Sequence, residues 1–128
     1  MKPCQRQQAR AFTLVEIMIV VGIIAILAII AIPSFIRARA ASQARTCVNN
    51  LRQIDAAINQ FALENGKNTH DPVTVDDVKP YIKLTADGDI PMCPAGGLYD
   101  TNRWQVAHTP RCSFANLVPP HDLPDRYY

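Results

Sequence analysis

Glu16 is the first side chain whose chemistry is out of keeping with its surroundings. It stands near the start of RAFTLVEIMIVVGIIAILAIIAIP (residues 10–33), and residues 17–32 are all apolar or glycine. A carboxylate at a bilayer centre costs on the order of 2.5 kcal/mol or more, so a partner for that charge is expected. Four cysteines, Cys4, Cys47, Cys93 and Cys112, offer thiol chemistry. Three histidines, His70, His108 and His121, lie far apart without ligand spacing, and no zinc site is expected from them. Asp87-Gly88-Asp89 and Asp100-x-Asn102 hold parts of a calcium loop but not its full ligand run, and read as solvated turns. No nucleophile has a base at recognisable spacing, and there is no phosphate loop. No enzymatic activity, cofactor or resident metal is expected.

The elements that must position these groups follow from periodicity. Residues 1–11 are polar and basic and read as a leader with the character of an n-region. Residues 12–36 lack a helix breaker until Pro33 and could span roughly 37 Å, more than a ~30 Å hydrocarbon core. Pro33 removes one backbone bond to residue 29 and should kink or loosen the helix there. Residues 37–65 continue as an amphipathic helix, with Cys47, Leu51, Ile54, Ile58 and Phe61 forming one apolar stripe. Asn65-Gly66 is a helix stop, so one helix over about residues 13–65 is expected, roughly 80 Å long.

Residues 66–128 read as a small globular domain. Thr74, with Asp77 three residues on, predicts a capped helical turn that Pro80 keeps short. Val78, Tyr81 and Ile82 would then face the long helix. Leu98-Tyr99, the alternating residues 103–108 and Cys112-Ser113-Phe114 predict three short strands between turns. The expected fold class is α+β, a long helix packed on a small antiparallel β-sheet.

Composition limits the partners. The chain has 13 bases, 11 acids and a formal net charge of +2. Lys2, Arg6 and Arg10 precede any acid, and without them ten bases face eleven acids. The basic balance belongs to the leader, and charge gives no case for nucleic-acid binding.

The basic leader, Ala11-Phe12-Thr13-Leu14-Val15-Glu16, the apolar helix and the position of Pro33 resemble a type IV prepilin N-terminus. That signal is shared by pilins and type II secretion pseudopilins. The stretch NNLRQIDAAINQFALENGK and the ending CPAGGLYDTNRW…PRCSF look like compact pseudopilin-type proteins with a short hairpin. The resemblance implies a pilin-like fold and cleavage between Ala11 and Phe12 by a prepilin peptidase, with methylation of the new Phe12 amine. It also implies that Glu16 meets the Phe12 amine of a neighbouring copy in a helical homo-oligomeric filament. An inner-membrane assembly platform and a motor ATPase are further implied partners. The family has glycine where this chain has Ala11, which is also small.

The resemblance also orients the chain. Arg37, Arg39 and Arg45 balance the three leader bases, so the positive-inside rule does not. A prepilin keeps its leader in the cytoplasm as a single-pass inner-membrane protein and later forms a periplasmic or extracellular filament. Outside the membrane, Cys93 and Cys112 flank the expected hairpin, and a disulfide between them would close a loop of about 20 residues worth roughly 3 kcal/mol. Buried thiols are the other reading, and Cys47 reads first as packing on its stripe.

For Glu16 the plain alternative is an acid placed favourably in a first helical turn. Gly22, Ala25, Ala28 and Ala31 fit close helix–helix approach or simply a helix with small residues. Two other classes remain open. Ala38-Arg39-Ala40 fits an ordinary secretory signal cut before Ala41, giving a secreted, disulfide-stapled binding module. A membrane-anchored DNA-uptake pilin is the other.

Overall fold

The structure is a computed structural model that describes residues 12–123. The leader, including Ala11, and residues 124–128 lie outside the described residues. The chain divides into two compact units, residues 1–37 and 38–128.

The first unit contributes the apolar start of helix α1, Leu14–Asn65. Thr13 Oγ1 accepts a hydrogen bond from the Glu16 amide at 3.2 Å, capping one of the first-turn N–H groups that have no helical partner. Residues 17–32 are all apolar or glycine, and α1 keeps its helical path through Pro33.

In the second unit α1 becomes one wall of a core. Ala44, Cys47, Leu51, Ile54, Ala57, Ile58 and Ala62 are buried along one face, the stripe visible in the spacing. The helix ends where Gly66 takes φ 62 and the Lys67 amide donates to the Ala62 carbonyl at 2.9 Å. That six-to-one bond is the Schellman closure that glycine permits because it has no Cβ.

Helix α2, Val75–Val78, starts as the capping box predicts. The Thr74 hydroxyl accepts from the Asp77 amide at 3.4 Å, and an Asp77 carboxylate oxygen accepts from the Thr74 amide at 3.0 Å. A 3-10 turn, Lys79–Tyr81, follows with Pro80 inside it. Val78, with Tyr81 and Ile82, packs on Ile54, Ala57 and Ile58, joined by Val73, Ile90 and Trp104. Phe61 and Tyr81 meet edge to face at 6.3 Å.

The expected antiparallel sheet does not form, and the α+β assignment is overturned. Among the described residues there are isolated bridges, Pro72 with Gln105 and Tyr99 with Cys112, and no strand. Asp100-Thr101-Asn102, read as a turn between strands, becomes the start of a 3-10 turn, Thr101–Arg103. The alternation at Trp104, Val106 and His108 does not mark one buried strand face. Trp104 is buried, Val106 half-buried and His108 exposed. Prolines 94 and 110 lack the N–H a ladder needs, and Gly96 at φ 87 turns the backbone away. The second unit is therefore loops packed on a helix rather than a sheet packed on one.

Candidate functional site

The N-terminal part of α1 is a surface without a covering inside the chain. From Phe12 to Ile36 every large hydrophobic side chain is between 47% and 77% exposed. Full burial of each such side chain is worth about 1.5–3 kcal/mol, so leaving the set in water would forfeit tens of kcal/mol. α1 is long and apolar enough to cross a membrane. Glu16 sits in its first turn, exposed, where a carboxylate meets the positive end of the helix dipole. That geometry accommodates the plain reading of Glu16; a partner on another copy lies beyond a single chain.

Residues 6–32 match the family model of the prokaryotic N-terminal methylation motif. The chain has a prepilin-type N-terminus. The motif indicates a type IV pilin-like or pseudopilin precursor and implies processing by prepilin peptidase, and together with the apolar helix it supports an inner-membrane location. Searches of curated proteins and of solved structures each returned no match. Within the motif, Phe12 and Thr13 precede α1 and Glu16 lies in its first turn; Pro33 lies inside α1 just beyond the match.

The second unit brings together residues that the sequence kept apart. Cys47 comes from the buried stripe of α1, Cys93 from the turn Cys93-Pro94-Ala95-Gly96-Gly97, and Cys112 from the bridge to Tyr99. His121 follows Pro119 and Pro120 and is 4% exposed. The three sulfurs and one imidazole nitrogen all lie within 4.8 Å of one another. Cys93 Sγ and His121 Nδ1 are 3.3 Å apart, and Cys47 Sγ is 3.9 Å from the His121 carbonyl oxygen. Among the described residues Cys47, Cys93 and Cys112 each stand as free cysteines. A third sulfur and a ring nitrogen share the space of the Cys93 and Cys112 sulfurs.

Backbone and polar groups hold this cluster. The Gly96 amide donates to the Cys93 carbonyl at 3.0 Å and closes the turn. The Ala95 and Gly97 amides donate to the Cys93 sulfur, and the Phe114 amide donates to that of Cys112. Gly97 has no side chain because none fits: a Cβ there would lie 2.6 Å from Cys112 Sγ and 3.3 Å from Cys93 Sγ. The Tyr99 hydroxyl sits 3.7 Å from Cys47 Sγ and accepts from Asn50 Nδ2 at 3.4 Å. The Asn50 amide also donates to the Met92 carbonyl at 2.9 Å, tying α1 to the loop before Cys93. Phe114 meets the His121 ring edge to face at 6.0 Å.

These surroundings separate the thiols electrically. Burial pushes the Cys47 thiol well up, and burial likewise raises Cys112. Burial also opposes ionisation of Cys93, but the Ala95 amide, the Cys47 thiol and the Gly97 amide outweigh it and hold Cys93 below its ordinary value. Sequence spacing did not single out His121 because 28 residues separate it from Cys93 and 74 from Cys47. The available signal was the turn chemistry of residues 93–97, together with an odd number of cysteines beyond the apolar run.

The fragments of calcium loops behave as turns. The Thr85 amide donates to the Asp89 carbonyl at 2.8 Å around Gly88 at φ 80, and the Asp89 carboxylate lies 3.7 Å from Lys79 Nζ. Asp100 lies 3.7 Å from Arg103 Nε.

Proposed function

We propose that this chain is a structural subunit of a type II secretion pseudopilus or of a type IV pilus-like filament. The observation that carries the reading is the methylation motif over residues 6–32, continuous with an apolar helix segment that nothing in the chain covers. Its work is assembly rather than catalysis. A prepilin peptidase cuts between Ala11 and Phe12, and the new Phe12 amine is methylated. The apolar half of α1 holds the subunit in the inner membrane until a motor ATPase and an assembly platform pass it into a filament. There the same side chains are reburied against copies of themselves.

Glu16 gives that second burial its register. Its carboxylate pairs with the Phe12 amine of a neighbouring copy, and a slipped subunit would leave both charges unpaired in a low-dielectric core. Glu16→Ala should insert into the membrane in normal amount and be missing from the sheared filament fraction, where the unsubstituted chain is recovered. Filaments of normal yield and length from the variant would refute the pairing. An unsubstituted chain that never leaves the membrane fraction would instead identify an anchored monomer.

A further inference from the structure

We propose that Cys47, Cys93, Cys112 and His121 form a closed zinc(II) site that fastens the loops of the second unit to α1. The donor set is three thiols and one imidazole, all buried and all within 4.8 Å of one another. Around a tetrahedral zinc with Zn–S of ~2.3 Å and Zn–N of ~2.0 Å, sulfurs stand about 3.8 Å apart and a sulfur and nitrogen about 3.5 Å apart. The Cys93 Sγ to His121 Nδ1 separation of 3.3 Å already has that scale. Side-chain adjustments of about an ångström would bring the remaining atoms to it.

Several independent features favour an ion over a disulfide. One bridge would use two of the three sulfurs and leave a buried thiol and a buried imidazole against it, whereas a tetrahedral ion uses all four donors. Backbone N–H groups of Ala95, Gly97 and Phe114 point at two of the sulfurs, the outer-shell donors that a metal-bound thiolate requires. Gly97 leaves the room that lets the backbone approach both sulfurs. Soft sulfur donors with one imidazole suit zinc in preference to magnesium or calcium. With four protein ligands and no open position, the site is structural.

Zinc binding converts up to three thiols to thiolates and releases their protons to solvent, so no oxidant is needed. The ligands come from α1, the turn at Cys93, the bridge at Cys112 and the segment after Pro120. One ion therefore ties four parts of a unit whose described residues form no sheet, the role a staple plays in small domains. This proposal stands apart from the filament reading, since zinc content can be measured whether or not the chain assembles.

The test uses the full chain purified in detergent without chelator, then stripped and titrated anaerobically with Zn2+ alone and with Co2+. About one zinc per chain is expected, with three thiols protected from alkylation until a strong chelator is added. The cobalt form should show thiolate-to-metal charge transfer and the intense ligand-field bands of four-coordinate cobalt. His121→Ala should weaken zinc binding by more than the ~10–100-fold typical of losing an outer-shell partner, and His121→Cys should restore tight binding. The cobalt spectrum of the unsubstituted chain decides the matter even if a variant fails to fold. Freely reactive Cys47, Cys93 and Cys112 with no stoichiometric zinc would overturn the proposal, as would a zinc-free exported chain carrying a Cys93–Cys112 disulfide.

Discussion

Cys93 Sγ and His121 Nδ1 lie 3.3 Å apart, although 28 residues separate them in the chain. The contact depends on the turn at residues 93–97, which presents the sulfur, and on the His121 amide, which donates to the Phe114 carbonyl at 3.3 Å. It joins the last described segment of the chain to the middle of the second unit.

Gly97 is the position where that arrangement tolerates least change. Gly97→Ala places a methyl 2.6 Å from the Sγ of the buried Cys112 and 3.1 Å from the half-buried Phe114 ring. A loss of about 1–3 kcal/mol in unfolding free energy is expected, as for other overpacked cores. At Gly96 a Cβ would meet nothing within 4 Å, and only the backbone at φ 87 resists substitution. Gly96→Ala should therefore destabilise without moving the Cys112 and Phe114 resonances in an NMR spectrum, while Gly97→Ala shifts both.

Burial separates core residues of α1 from its outer face. Ile54 and Ile58 are fully buried, while Leu63 is 85% exposed. Ile58→Ala should cost about 2–5 kcal/mol in a denaturant titration, and Leu63→Ala should stay within about 0.5 kcal/mol. Equal effects at the two sites would contradict the placement of the core on the 47–61 stripe.

Trp104 combines burial with an unmet donor. It is 2% exposed, and its indole Nε1 has no hydrogen-bond partner among the described residues. Trp104→Phe removes the unpaired N–H together with some volume and should cost less than about 2 kcal/mol. Trp104→Ala opens the cavity and should cost about 3–5 kcal/mol. Thermal unfolding of the two variants gives the comparison.

The capping box at α2 has a pH signature. The Thr74 hydroxyl donates to an Asp77 carboxylate oxygen at 2.7 Å, and that bond, then the Thr74 amide, holds Asp77 below its ordinary value. A carboxylate lowered on folding stabilises fully above its unfolded pKa, and the contribution fades as pH falls through the lower folded value. Stability should thus drop on acidification below about pH 4. Thr74→Ala should flatten that part of the profile. An unchanged slope in the variant would place the acid sensitivity elsewhere.

Much of this was legible because it is local. The apolar run, the stripe from Cys47 to Phe61, the stop at Asn65-Gly66 and the Thr74–Asp77 cap each sit within a few turns of chain, where side-chain type decides backbone shape. The sheet was misread because alternation over three or four residues arises in packed loops as readily as in strands. Trp104 is buried there by the core it joins, not by membership of a ladder. The cysteine–histidine cluster was illegible for a different reason. Its four members belong to separate segments, and only the folded path sets His121 beside Cys93.

The most direct measurement is the intact mass and N-terminal sequence of the chain recovered from its producing cell. The account predicts a mature protein that begins at Phe12, with a methylated α-amine. A mature start at Ala41, or a chain that keeps residues 1–11, would contradict it.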